Sequence, residues 1–174
     1  EMCIRDRAAS DHGKMILIDA EESWIQQPVD DITDKMMEKY NSTNVVVYNT
    51  FQLYRHDRLD FLKKSYERAS AGNYLLGAKL VRGAYMEKER ARAAAKNYED
   101  PIQINKNASD AAYDAALDYC VANLADISIC AGTHNENSSM HLVNLMAQHS
   151  LAANDRRIYF SQLLGMSDNL SYNL

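Results

Sequence analysis

The sequence predicts an α/β fold, and within that class a partial (β/α)8 TIM-like barrel with about five of the eight βα units. Short apolar segments alternate with longer amphipathic segments along the 174 residues, as expected for parallel strands joined by helices. Polar residues follow the apolar segments at their carboxyl ends, and a barrel brings those ends to one rim. The dinucleotide-binding pattern G-x-G-x-x-G is absent, which weakens the competing prediction of an open doubly wound sheet.

Five apolar segments are the predicted strands. The second contains Val45, Val46 and Val47, whose β-branched side chains favour a buried strand. The predicted ranges are 14–18, 44–48, 74–81, 126–131 and 157–162. The polar residues that follow or end these strands are Asp19, Asn49, Arg82, Thr133, His134, Asn135 and Gln162.

The segments between the strands have helical spacing or composition. Gly72 is expected to end the helix that carries Leu59, Leu62, Tyr66 and Ala69 at spacings of three and four. The alternating charges of 87–92 are typical of a solvated helix face. Further helices are predicted around Ile32, Met36 and Tyr40 and over 86–96, 109–123 and 138–149.

The composition excludes several classes of protein. The chain is 47% hydrophobic and 25% charged, as globular proteins are, and its net charge of −5 argues against a nucleic-acid partner. It contains no run of about 18 apolar residues that could span a membrane, and it opens with no secretory leader. Cys3, Cys120 and Cys130 lack the spacing of a metal site. We therefore expect no metal, reduced thiols with Cys120 and Cys130 packed in the core, and a cytoplasmic setting.

Three residues at the ends of the first three strands could carry chemistry. Asp19 could pair with a cation, bind a metal or act as a base, but an aspartate before a helix is equally an N-cap. The Asn49 amide can donate and accept, although it is also ordinary in a turn. Lys79 carries the strongest signal, because a lysine within an apolar strand is costly unless it is paired or faces a polar cavity.

The third and fourth strands are followed by loops that suit a ligand. Gly83 and Ala84, after Arg82, let the backbone approach a ligand closely, as they also would in a plain tight turn. His134 could donate to a pyrophosphate beside helix-terminal amides. If this loop has no ligand, Thr133 or Asn135 would cap a helix and His134 would lie at the surface.

Five strings of the sequence, taken in order, resemble the catalytic barrel of the proline dehydrogenase family, and together they are specific. They are Ile18-Asp19-Ala20-Glu21, Tyr48-Asn49-Thr50-Phe51-Gln52, the segment 79–92, Thr133-His134-Asn135 and the segment 159–166. The resemblance implies a distorted (β/α)8 barrel that holds FAD at the strand ends. It also implies oxidation of L-proline to Δ1-pyrroline-5-carboxylate by hydride transfer to flavin N5, with electrons passed to a quinone.

The resemblance assigns roles to individual residues. Asp19 matches the active-site carboxylate, and Lys79 matches the basic residue beside flavin N5; both are the expected catalytic residues. Tyr85 and Leu163 match residues of the substrate pocket. The expected cofactor-binding residues are Ala20, Asn49, Lys79, Val81, Arg82, Gly83, Ala84, Thr133, His134 and Asn135.

The match leaves part of the family's barrel without a counterpart. The paired arginines that clamp the substrate carboxylate in the family lie beyond the last residue, Leu174. We therefore expect the full-length protein to be active and this fragment to be inactive. Residues 13–174 are expected to form the partial barrel. Residues 1–12 are expected to be a non-native or disordered segment, because the opening residues show no periodicity.

Other functions stay open at this stage. The same barrel could oxidise hydroxyproline or another cyclic amino acid. A metal-dependent hydrolase using Asp19, Glu21 and His134, or a non-catalytic binding barrel, would belong to a different class. For the dehydrogenase, a quinone acceptor implies peripheral contact of the full-length protein with the inner membrane.

Overall fold

The structure is a computed structural model that describes the backbone of residues 2–174 and their side chains, apart from those of residues 2, 3 and 6. The strands are β1 (Ile16–Ile18), β2 (Val47–Gln52), β3 (Leu76–Val81), β4 (Ile127–Gly132) and β5 (Ile158–Ser161). The helices are α1 (Met2–Asp11), α2 (Ser23–Tyr40), α3 (Arg58–Gly72), α4 (Met86–Lys96), α5 (Lys106–Ala122), α6 (Glu136–Gln148) and α7 (Asp168–Ser171).

The described strands form one parallel sheet in the order β1-β2-β3-β4-β5, curled into a half-barrel. Its register aligns Thr50, Lys79, Cys130 and Tyr159 on the inner face. The alternate residues, including Ala78 and Ile129, join the core between the sheet and the helices. The predicted fold class is therefore confirmed.

The two cysteines predicted for the core are buried and carry free thiols. Burial raises the pKa of the Cys120 thiol to about 12, so this side chain stays neutral and packs as a small hydrophobe. Along the described residues, no helix has both the length and the apolar content needed to cross a bilayer.

The second strand begins and ends later than predicted. The Asn41 side chain accepts hydrogen bonds from the backbone N–H groups of Val46 and Val47, both at 2.9 Å, and so closes the preceding residues into a loop. The strand then continues through Gln52, because β3 supplies parallel backbone partners for Asn49 to Gln52. Asn49 consequently lies inside the strand instead of following it.

Helix ends agree more closely with the sequence. α3 ends at Gly72 as predicted, and Asn73 then adopts a left-handed conformation. Asn135 caps α6 by accepting a hydrogen bond from the Ser138 N–H at 3.2 Å. The opening segment forms α1, and Ala9 packs against the core. The prediction that residues 1–12 are a non-native or disordered segment stays a prediction.

Gly77 allows β2 and β3 to approach each other closely. A Cβ atom at this position would lie 2.3 Å from the carbonyl oxygen of Val47 and 2.9 Å from the Cα atom of Tyr48. Because both are backbone atoms, Gly77→Ala must displace one strand. We expect a loss of about 1–3 kcal/mol in the free energy of unfolding, measured by urea titration. Gly13→Ala, where a Cβ meets no atom within 4 Å but the φ angle is +60°, is the comparison. A smaller loss for Gly77→Ala than for Gly13→Ala would contradict this account.

Candidate active site

A pocket of about 590 Å³ opens at the carboxyl ends of β3, β4 and β5. It gathers nine residues predicted for the site: Lys79, Val81, Arg82, Gly83, Ala84, Thr133, His134, Asn135 and Leu163. Residues about 80 positions apart in the chain thus line one cavity, as the convergence of strand ends in a barrel requires. Leu163 lies at the open side of this pocket and is 66% exposed.

Lys79 and Asp19 form an ion pair at this rim. Lys79 projects from the inner face of β3, and its side chain is only 20% exposed. Asp19 follows β1, and its side chain is 72% exposed. The pair reaches across the carboxyl end of β2, which lies between β1 and β3. Lys79 therefore has both features expected of a lysine in an apolar strand: it is paired with a carboxylate, and it lines a cavity.

Arg82 turns toward α5 and α6 and joins the two helices. Its guanidinium pairs with Asp110 and donates to the Ser138 hydroxyl at 2.5 Å and the Thr133 hydroxyl at 3.3 Å. It also lies 4.3 Å from the ring centroid of Tyr113. Burial raises the pKa of Asp110, but the hydrogen bond from Lys106 and the charge of Arg82 outweigh it, so the net pKa is lowered. These contacts fix the pocket wall formed by the loops after β3 and β4.

In the loop after β4, one residue caps a helix and another lines the pocket. Asn135 caps α6, and its own N–H donates to the Thr133 hydroxyl at 3.1 Å. His134 is exposed, with Nδ1 3.2 Å from the Ser167 hydroxyl. Capping therefore occupies Asn135, while His134 lines the pocket from the surface.

Four predicted site residues lie outside this pocket lining. Asp19 and Ala20 belong to the neighbouring loop after β1. Tyr85 donates a hydrogen bond to Glu21 at 3.1 Å; that bond, followed by burial and nearby negative charge, raises the tyrosine pKa. The Asn49 side chain lies on the helix-facing side of the sheet, where its Nδ2 donates to Asp30 at 2.9 Å. The structure does not bring Asn49 to the pocket.

Gln52 is a polar residue of this rim that was not predicted from the sequence as a site residue. It ends β2, is 2% exposed, and donates to the carbonyl oxygen of Glu21 and the hydroxyl of Tyr54, both at 2.8 Å. Its Oε1 atom is buried with no hydrogen-bond partner among the described residues. A strand prediction ending at Gln52 would have revealed that Gln52 and Thr50 share one face.

The residues considered for a metal site are held separately. Asp19 pairs with Lys79, Glu21 accepts from Tyr85, and His134 lies beside Ser167. Within the part of the chain that the structure describes, no group of three His, Cys, Asp or Glu residues is arranged to hold a metal ion.

The sequence matches known proteins along nearly its whole length. A family model described as Proline dehydrogenase matches residues 6–174. Proline dehydrogenase 1, mitochondrial, from Homo sapiens is 36% identical over 99% of this chain and 29% of its own length. The carbapenem antibiotics biosynthesis protein CarD of Pectobacterium carotovorum is 37% identical, with 95% of this chain and 42% of the relative covered. Hydroxyproline dehydrogenase of Xenopus laevis is 34% identical, with 91% and 35% covered. The chain thus spans less than half the length of these relatives.

Solved structures show the same fold. The crystal structure of proline utilization A from Bdellovibrio bacteriovorus, inactivated by N-propargylglycine, matches with a TM-score of 0.86 and 20% identity, covering 94% of this chain and 17% of that one. A bifunctional proline utilization A protein matches with a TM-score of 0.83 and 22% identity, with 96% and 17% covered. These likenesses support the half-barrel assignment. The family match over residues 6–174 leads to one conclusion: the chain belongs to the proline dehydrogenase family.

Proposed function

We propose that the full-length protein oxidises L-proline to Δ1-pyrroline-5-carboxylate with FAD as cofactor. The observation that carries the proposal is the ion-paired Lys79 on the inner face of β3, beside a pocket at the strand ends. Family membership supports the reaction class, and the cofactor would occupy the pocket at the strand ends.

The residues of the pocket fit a flavin dinucleotide. Arg82 and Lys106 line the pocket and supply positive charge that suits a diphosphate. Gly83 has a φ angle of +79°, and a Cβ there would meet only the sulfur of Met86, at 3.9 Å, so its backbone is open to a ligand. The buried Oε1 of Gln52 is an acceptor that a ring N–H could satisfy.

The cofactor would be held by the residues that follow β3 and β4. Val81, Arg82, Gly83 and Ala84 would contact it from one side, and Thr133, His134 and Asn135 from the other. Ala20 and Asn49 were also predicted to contact it, but Asn49 would have to leave its hydrogen bond with Asp30. When bound, FAD supplies a two-electron acceptor for a hydride.

The residues of the chain would orient the substrate and stabilise charge. C5 of proline would give up a hydride to the bound acceptor, the ring nitrogen would release a proton to solvent, and the electrons of that N–H bond would form the C5–N double bond. Lys79 would stabilise the negative charge that develops on the acceptor, and Asp19 would hold the Lys79 ammonium in place. Tyr85 and Leu163 would border the substrate, with the Tyr85 hydroxyl oriented by Glu21.

Hydroxyproline is a second candidate substrate, because a relative of that name shares 34% identity with the chain. The two substrates differ by one hydroxyl group, so kcat/KM for each would decide between them.

The purified full-length protein is expected to be yellow, with a flavin absorption spectrum that bleaches when L-proline is added without another acceptor. The 174-residue chain, whose sheet has β1 and β5 at its edges, is expected not to turn over proline. A full-length protein that takes up no FAD, or whose flavin neither substrate reduces, would contradict the proposal.

We propose a membrane quinone as the acceptor that reoxidises the flavin. The quinone acceptor implies that the full-length protein contacts the inner membrane peripherally, and the proposed location is the cytoplasm. Quinone reduction by the full-length protein with proline, and its co-sedimentation with lipid vesicles, would test the two parts separately.

A further inference from the structure

Glu89 is a buried carboxylate that the proposed reaction does not use. It lies on α4 and is 1% exposed, although Glu87 and Arg90 on the same helix are exposed. Its Oε1 accepts a hydrogen bond from the Ser23 N–H at 2.6 Å, and its Oε2 accepts one from the Ser23 hydroxyl at 2.7 Å. Ser23 is the first residue of α2, so this carboxylate binds the positive end of a different helix.

Two further contacts join the same segments. Tyr85 donates to Glu21 at 3.1 Å, and Lys88 pairs with Glu22. Positions 85, 88 and 89 recur at the spacing that places side chains on one side of a helix. Three consecutive residues, 21 to 23, are therefore held by the beginning of α4.

The three held residues belong to the segment between β1 and α2, which also contains Asp19. This segment covers the end of β2. Gln52, the last residue of β2, donates to the carbonyl oxygen of Glu21 at 2.8 Å. β1 and β3 lie on opposite sides of β2, about 10 Å apart for two strand spacings. The Asp19–Lys79 pair crosses that distance, and a pair whose carboxylate is 72% exposed restrains its residues weakly. Asp19 therefore needs a second restraint, and the Glu89–Ser23 contact lies four residues further along the chain.

We propose that Glu89 is a positioning residue, which anchors the first turn of α2 to α4 and thereby keeps Asp19 beside Lys79. Its catalytic consequence rests on the proposed function, because Asp19 and Lys79 are assigned there. The contact between Glu89 and Ser23 does not depend on the proposed function.

The first test is Glu89→Gln in the full-length flavoprotein. Glutamine can still accept from the Ser23 N–H through Oε1, but its amide nitrogen cannot accept from the Ser23 hydroxyl, so the negative charge and the donor bond of that hydroxyl are lost together. We expect kcat for proline to fall about tenfold with little change in KM, because misplacement of a positioning group acts on the chemical step. Glu87→Gln removes the same charge from an exposed position of α4 and should leave kcat unchanged.

A double-mutant cycle separates positioning from general destabilisation. If Glu89 acts through Asp19, Glu89→Gln should lower kcat no further in a protein that already carries Asp19→Asn. Independent effects that multiply, or a wild-type kcat in the Glu89→Gln variant, would overturn the proposal.

Hydrogen exchange gives a result that does not depend on the reaction. Glu89→Gln should raise deuterium uptake in a peptide covering residues 19–26 and leave β3 and β4 protected. If the wild-type protein fails to oxidise proline, the proposed function is wrong, but a local increase would still support anchoring and its absence would overturn it. If Glu89→Gln does not fold, Ser23→Ala, which removes the hydroxyl bond alone, should give a smaller change in the same direction.

Discussion

Lys79→Met is expected to lower kcat/KM for L-proline by about a hundredfold in the full-length enzyme, the effect of removing one charge-stabilising donor in other enzymes. The variant keeps an unbranched side chain, one heavy atom shorter, and removes its charge. Asp19 then loses its ion-pair partner at the rim, while the backbone of β3 is unchanged. Steady-state kinetics with proline and an artificial acceptor would measure the effect, and flavin content would be measured on the same samples.

Two other variants sharpen this prediction. Lys79→Arg keeps a cation on the inner face of β3 and should retain much more activity than Lys79→Met. Lys106→Met removes a cation from the same pocket, but the Lys106 side chain is 76% exposed and pairs with Asp110 through solvent-accessible atoms. It should weaken FAD binding at most and leave kcat near the wild-type value. Equal losses of kcat in Lys79→Met and Lys106→Met would show that net charge matters and the position of Lys79 does not.

Arg58→Met is expected to lower the free energy of unfolding of the chain by about 3–5 kcal/mol, because it leaves a buried carboxylate without its counter-charge. The Asp30 side chain is 1% exposed, and both its oxygens accept hydrogen bonds from the Arg58 guanidinium, at 2.9 and 3.0 Å. Gln26 and Asn49 also donate to Asp30, both at 2.9 Å. The cluster joins α2, β2 and α3, so its loss should affect the whole half-barrel. Urea titration followed by circular dichroism would measure the change.

Arg68→Met provides a matched control within the same pair of helices. Arg68 pairs with Asp34 at 2.8 Å, but the Arg68 side chain is 45% exposed. The Asp34 side chain is 21% exposed, so this pair is more accessible to solvent than the Arg58–Asp30 pair, and we expect a smaller loss. If Arg58→Met and Arg68→Met lowered the free energy of unfolding by similar amounts, the larger contribution expected of the buried cluster would be contradicted.

The fold could be predicted because its signals are local. Each predicted strand overlaps an observed one, and the polar residues after β1, β3 and β4 do meet at one rim. Their convergence follows from parallel topology alone, which is why Lys79 and Thr133 could be grouped without any structure.

The errors arose where tertiary contacts override local pattern. Val45 and Val46 have the composition of a strand, yet the Asn41 side chain occupies backbone groups there and delays β2. Because β2 ends later than predicted, Asn49 lies within the strand on its helix-facing side, and Gln52 is the polar residue that ends the strand. The burial of Glu89 could not be predicted for a related reason. Its alternation with Lys88 and Arg90 is typical of a solvated helix, and only the approach of Ser23 from another helix buries it.

The order of the strands across the sheet repeats their order along the chain. During synthesis on the ribosome, each newly emerged strand therefore finds its pairing partner already made, and the sheet can grow by one strand at a time from its amino-terminal side. Lys79 emerges 60 residues after Asp19, so the ion pair at the rim can form only when the third strand has docked. Assembly of the half-barrel and assembly of the rim that carries this ion pair are thus successive stages of one process.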